Sequence, residues 1–137
     1  FRHKICISNH SISIKKEEDE MISAYQSALS GLRAFETRIN SNANNIANLS
    51  TENFKKTRVL LSDMQPQGVK VDVEKVNSPG ATNYEETNNG FELVELSNVD
   101  LGKELPETGL NSTFYKANLK TIQATDEMFG SLLNLKA

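Results

Sequence analysis

His3, Cys6 and His10 are the only imidazoles and the only thiol of a 137-residue chain, and all three fall within its first ten residues. Steps of three and four fit neither a zinc finger nor a zinc ribbon, whose ligands come in paired clusters separated by a longer loop. Beyond residue 20 the chain holds no His and no Cys, which removes thiol nucleophiles, imidazole bases and the commonest transition-metal ligands. Carboxylates remain. Asp126 with Glu127, or Glu104 with Glu107, could be acid–base pairs, but on an amphipathic helix they read as a solvated face, with no histidine, cysteine or glycine loop to complete a site. The glycines stand singly and form neither GxGxxG nor GxxxxGK[ST], so no phosphate cradle is present. The N-x-S/T sequons at Asn9, Asn48 and Asn111 carry little weight in a chain this rich in Asn and Ser. The expectation is a non-enzymatic protein without catalytic residues, cofactor or metal.

Composition narrows the partners. Lys and Arg total 15 against 18 Asp and Glu, a formal charge of −3, and no cluster supplies the basic footprint that nucleic acid requires. Hydrophobic residues make up 37 %, and even with glycine added the apolar share is below the roughly 45–50 % of ordinary globular domains. Fifteen asparagines help fill the difference. Such a chain buries a modest core, so an apolar helix face can be waiting for a partner. No run approaches the ~18 apolar residues of a membrane span, and no stretch has the layout of a secretory signal.

Residues 1–20 differ in character from the rest of the chain. Phe1 is no initiator, Met21 is the first methionine, and the codons of Lys15 to Glu18 can spell the purine tract of a bacterial ribosome-binding site. These residues are read as a translated leader or disordered extension. The alternative is a short β-like segment in which Ile5, Ile7, Ile12 and Ile14 alternate with polar residues, followed by a charged linker.

From Ile22, apolar residues recur at steps of three and four: Ile22, Tyr25, Leu29, Leu32, Phe35, Ile39, Ala43, Ile46. That spacing predicts a helix with a narrow seam near the coiled-coil period. Small residues such as Ser27, Ala28, Gly31 and Ala34 surround it and would admit another backbone. The Asn-rich tract from Asn40 to Asn48 predicts a helix end near Asn48 to Ser50. Val69, Val71 and Val73 then alternate with charged residues, and Val59–Leu61 and Phe91–Leu96 are further strand candidates, giving a β module of two to four strands. The helical period returns through Leu101, Leu105, Tyr115, Leu119, Ile122, Phe129, Leu132, Leu133 and Leu135. Pro106 and Gly109 cost about 3 and 1 kcal/mol in a helix interior, so a kink or break is expected there.

Two runs at opposite ends carry a resemblance. SALSGLRAF from Ser27 to Phe35, followed by Asn42, Asn44, Asn45, Ile46, Asn48, Thr51, Phe54 and Lys55, resembles the N-terminal signature of bacterial flagellar rod and hook axial proteins. Ser97 to Leu101, Glu104, Tyr115, Asn118, Ile122, Asp126 to Met128, Leu132, Leu133 and Leu135 resemble the C-terminal signature. The middle, with Gly68, Val71, Ser78, Pro79, Tyr84 and Gly90, is similar to the short insert of proximal rod proteins. Pro106, Gly109 and Thr113 depart from the family pattern.

The resemblance implies a mainly α fold. N- and C-terminal helices pair as an antiparallel coiled-coil-like hairpin, with outward small residues admitting neighbouring subunits and a small β insert between the helices. The divisions are 1–20, 21–50 for the first helix, 51–96 for the β module and 97–137 for the second helix. It further implies a structural subunit of the flagellar basal-body rod, exported through the flagellar type III apparatus without a cleavable signal, its termini ordering on assembly into a helical axial tube that transmits torque. Partners would be other rod and hook subunits, the export apparatus and further copies of the chain, with neither nucleic acid nor membrane insertion. The assembly interface is assigned to Leu29, Leu32, Phe35, Ile39, Asn44, Asn45, Ile46, Asn48, Tyr115, Asn118, Leu119, Ile122, Met128, Leu132 and Leu133. Alternatives are a distal-rod or hook-type axial protein, or a cytoplasmic coiled-coil adaptor or export chaperone.

Overall fold

A computed structural model describes residues 2–87 and 90–136, with side chains at 16, 19–86 and 90–134. Helix α1 (Arg2–Ala47) is followed by strands β1 (Thr57–Asp63), β2 (Val69–Lys75), β3 (Thr82–Thr87) and β4 (Gly90–Glu95), and the chain returns along helix α2 (Leu101–Lys136).

The asparagine tract ends α1 as its chemistry dictates. Asn48 donates its backbone N–H to the Asn44 and Asn45 carbonyls and its side-chain amide to the Asn44 carbonyl at 2.8 Å. Asn53 takes the left-handed φ of 55° that turns the chain towards β1. At the start of α2, Asp100 is the cap: its carboxylate accepts from the Gly102 N–H at 3.0 Å and its carbonyl from Lys103 and Glu104. The helix then runs through Pro106 and Gly109 without interruption, so the chain does not break there. Pro106 lies in the second turn, and the only intrahelical bond it forfeits is the one to the Gly102 carbonyl.

Contacts between Asn45 and Glu104, Phe35 and Phe114, and Gly31 and Asn118 show that α1 and α2 are antiparallel. Each step back along α1 is matched by an equal step forward along α2, on both sides of Pro106. The turn before the proline therefore already lies on α1 through Glu104. Covered positions of α2 repeat at alternating steps of four and three from Glu104 through Thr108, Asn111, Tyr115, Asn118, Ile122 and Thr125 to Phe129 and Leu132, with Ser112 beside them.

The sheet is two separate antiparallel hairpins. β1 pairs with β2 with Val59 opposite Val73 and Leu61 opposite Val71. This hairpin lies against α1, where the Val69 N–H donates to Ser30 Oγ at 3.1 Å and Ser41 Oγ meets Thr57 Oγ1 at 2.7 Å. Gly68, at φ +113°, turns its tip so close to Ser30 that a Cβ would come within 2.8 Å of that hydroxyl. β3 pairs with β4 and packs on no other element.

Sequence periodicity placed the large apolar side chains in the helix seam and small residues on the outside. The structure agrees only in part: Phe35, Tyr115, Ile122, Phe129 and Leu132 lie along the seam, half-buried, but the fully buried side chains are others. Ala28 and Ala34 are buried with Val59, and the other buried side chains are polar: Asn42, Asn45, Glu104, Asn111 and Thr125. Gly31 faces Asn118 at a distance that leaves no room for a side chain, its Cβ position lying 2.7 Å from Asn118 Oδ1. Small residues admit close approach between α1 and its own partners, and part of the bulky stripe is displaced around the helix.

Candidate functional site

Part of each apolar stripe lies on the outer surface. On α1, Ile22 and Tyr25 are exposed and Leu29, Leu32 and Ile39 are partly covered. On α2 at 3.6 residues per turn, Leu101, Leu105 and Leu119 fall on one flank of the seam, and Leu110, Phe114 and Met128 on the other. All six are exposed, as is Leu133. Large apolar side chains arranged in rows on a small protein mark a surface made to be covered. At the open end of the helix pair an apolar groove of about 510 Å³ runs between Met21 and Ala24 of α1 and Ala124, Met128 and Leu132 of α2.

Of the residues assigned from sequence to the assembly interface, Tyr115, Asn118, Ile122 and Leu132 lie along the intramolecular seam. Phe35 stacks on Phe114 with ring centroids 5.2 Å apart, and Leu29, Leu32, Ile39, Ile46 and Asn48 are partly covered. Leu119, Met128 and Leu133 are exposed, as is Asn44. Asn45 is 1 % exposed.

Asn45 anchors a polar junction that holds helices and hairpins together. Its Oδ1 accepts from the Thr57 N–H at 2.9 Å, and its Nδ2 donates to the Thr57 carbonyl at 2.8 Å and to Glu104 Oε2 at 3.3 Å. One amide thus binds both backbone groups of Thr57 as a neighbouring strand would, and ties them to α2. Glu104 is buried, with Lys56 Nζ 3.8 Å from its other oxygen, so its reading as a solvated carboxylate is corrected. Glu107, Asp126 and Glu127 are exposed as expected. Asn98 repeats the device, accepting from the Lys56 N–H at 2.7 Å and donating to the Val76 and Ser78 carbonyls at 2.8 and 2.9 Å. Thr57 and Phe114 carried no distinguishing sequence signal, whereas Asn98 and Glu104 stood in the C-terminal signature without a structural role.

Glu95 closes the junction by accepting from Lys55 Nζ and from the Gly80 N–H. The Lys55 hydrogen bond, helped by that of Gly80, holds its carboxyl below the usual carboxylate range. A depressed folded pKa means that the charged form supports the fold above the unfolded value, and that this support is lost as pH falls through the folded one. Protection of the Leu96 amide, bonded to the Ala81 carbonyl, is therefore expected to fall on acidification below about pH 4.5, and Glu95→Gln to abolish that pH dependence in hydrogen exchange corrected for intrinsic rates.

Gly80 is where the chain passes itself most closely, since a Cβ there would lie 1.9 Å from the Leu96 carbonyl oxygen. Because that obstacle is backbone, Gly80→Ala is expected to cost at least the 1–3 kcal/mol typical of overpacking. Gly109 has nothing within 4 Å of its Cβ position, and Gly109→Ala is expected to stabilise by up to about 1 kcal/mol. Urea unfolding of the two variants checks both signs.

The two ends of the helix pair also carry the matches to known proteins. Residues 26–55 match the family model "Flagella basal body rod protein", and residues 92–135 match "Flagellar basal body rod FlgEFG protein C-terminal". The flagellar hook protein FlgE of Borreliella burgdorferi is 32 % identical over 79 residues, 58 % of this chain and 18 % of that protein. The flagellar hook protein FlgE of Treponema pallidum is 28 % identical over 92 residues, 67 % of this chain and 20 % of its own. The flagellar basal-body rod protein FlgG of Bacillus subtilis is 34 % identical over 89 residues, 65 % of this chain and 34 % of its own. The chain belongs to the flagellar rod and hook family. It spans between about a fifth and a third of the length of these relatives. In this member of the rod and hook family, the matched segments supply α1 from Gln26 onward with the turn after it, and β4 with α2. Asn45, Asn98 and Glu104 fall inside them, so these signature residues build the subunit's own junction. Among the described residues no helix is long and apolar enough to cross a membrane, and no group of three or more His, Cys, Asp or Glu gathers as a metal site.

Proposed function

We propose that the chain is a non-enzymatic structural subunit of the bacterial flagellar basal-body rod, assembling with copies of itself and other axial subunits into a helical tube that transmits torque. The observation that carries this reading is the exposure of much of both apolar stripes on a helix pair whose fully buried side chains are mostly small or polar. Ala28, Ala34 and Val59 are the only buried apolar residues among those described, too few to make long helices secure alone. Covering the flanks of α2 with neighbouring helices would supply the missing burial, and the steps of four and three along its seam suit coiled-coil-like packing. A chain marginal before assembly suits passage through the flagellar type III export apparatus, and contacts between different patches give an open filament.

The short insert between the matched segments, residues 56–91, supports a proximal-rod position. A hook-type axial role is the second reading, favoured by the two hook proteins among the relatives. Immunodetection in isolated basal bodies, with hooks fractionated separately, tests both. Signal in the rod fraction is expected; signal confined to hooks supports the second reading, and a purely cytosolic protein overturns the axial one.

A further inference from the structure

Beside the polar junction a cleft of about 190 Å³ opens between α1, the start of β1 and the start of α2. Arg38 and Asn42, one turn apart on α1, line it together with Lys56, Arg58 and Lys103, against the carboxylates of Glu104 and Glu107. Lys56 is paired with Glu104, Arg58 with Glu74 and Lys103 with Asp100. Arg38 has no ion pair among the described residues. Asn42 is 7 % exposed, and its Nδ2 is the one described side-chain polar atom sealed from solvent without a partner. An unmet buried donor costs about 1–3 kcal/mol, and the cleft is far larger than the roughly 10–15 Å³ a single water needs. It holds an excess of positive charge and an amide N–H for which the subunit supplies no acceptor.

The β3–β4 hairpin has the opposite character. It packs on neither helix nor the other hairpin. Its described residues carry Glu85, Glu86, Glu92 and Glu95 and no Lys or Arg. Glu85 stands directly across from Glu92 in the register, and like charges so placed destabilise a strand pair. Neither has an ion pair among the described residues. A lone two-stranded hairpin is marginal in water, so this acidic pair weakens an element already short of support unless cations reach it from outside.

We propose that the Glu85–Glu92 carboxylate pair of one copy enters the Arg38–Asn42 cleft of a second copy. Charge complementarity selects this occupant: the cleft offers a guanidinium without an ion pair among the described residues and an excess of cations over carboxylates, and the projecting hairpin offers two unneutralised carboxylates. Hairpin and cleft are different patches, so the contact runs head to tail and continues from copy to copy. The inference rests on the axial-assembly reading and adds to it a polar contact beside the apolar flanks.

Sedimentation equilibrium of the purified full chain tests it. Arg38→Glu and the double variant Glu85→Lys/Glu92→Lys are each expected to raise the dissociation constant for self-association about tenfold or more. The hairpin variant touches no other element, so it reports on association even where a change at Arg38 disturbs the fold. An equimolar mixture of the two variants presents the reversed charges to each other and is expected to recover association. Association unchanged in both variants, or no recovery on mixing, overturns the contact while leaving assembly through the flanks intact. A wild-type chain that stays monomeric at every concentration overturns the contact together with self-assembly.

Discussion

Leu105→Asp combined with Leu119→Asp is expected to leave the isolated subunit folded and to exclude it from the axial structure. Both leucines lie on one flank of α2, 55 % and 40 % exposed, so the monomer loses only the covered half of each side chain. The change costs about 1 kcal/mol through helix propensity and surface effects. In the proposed assembly the flank is covered, and each substitution forgoes about 1 kcal/mol for the half of leucine burial still to be gained, while forcing a carboxylate out of water at about 1–3 kcal/mol. A combined loss of about 4 kcal/mol lowers association roughly a thousandfold. On the proposed role the chain is exported unfolded, with no flank to lose, so the variant protein is expected in culture supernatant and missing from isolated basal bodies. Ile122→Ala makes the contrast, because Ile122 lies on the seam and its truncation weakens the monomer as well. Thermal unfolding by circular dichroism separates the two, and normal incorporation of the Asp pair would refute the role of the flank.

Periodicity located α1 from Ile22 onward, its end, α2 and three of the four strands because each leaves a local trace, but not the stretch from Arg2 to Met21 that α1 also includes. The valine alternation at 69, 71 and 73 became β2, and the asparagines after Asn40 became the turn that stops α1. β3 left none, since Thr82–Thr87 is held by register with β4 and not by an apolar face. The seam was placed only in part, for a physical reason. A stripe of Leu and Ile normally faces the nearest partner, but here the nearest partners need Ala28, Gly31 and Ala34 so that α2 and the first hairpin can approach closely, and part of the bulky stripe is left over. The break expected at Pro106 does not occur, because the proline lies in the second turn of a helix that continues for another thirty residues and gives up a single bond there. Polar contacts such as that of Asn45 with Thr57 depend on tertiary placement, and no spacing in the sequence encodes them.

Asn45→Ala is expected to be among the most destabilising single changes in the chain, although it removes no apolar surface. The amide serves the Thr57 N–H, the Thr57 carbonyl and Glu104 at once. Its loss leaves the Thr57 N–H without its side-chain acceptor and the Thr57 carbonyl with Ser41 Oγ alone at 3.3 Å, and deprives a buried carboxylate of a donor. Each buried unsatisfied group costs about 1–3 kcal/mol, so the total is expected near or above 3 kcal/mol in urea unfolding of the isolated chain. Asn45→Asp should not rescue it: the shape is kept, but a second carboxylate would face Glu104 and the Thr57 carbonyl with no N–H to offer. Asn44→Ala is the control, being the same residue type in the same tract, one position away and exposed, with an expected change within about 0.5 kcal/mol. Equal losses at 44 and 45 would mean that the tract acts only as a helix terminator. A loss confined to 45 would mean that the fold hinges on one amide joining the end of α1 to β1 and the start of α2, which is also where the proposed cleft takes its shape.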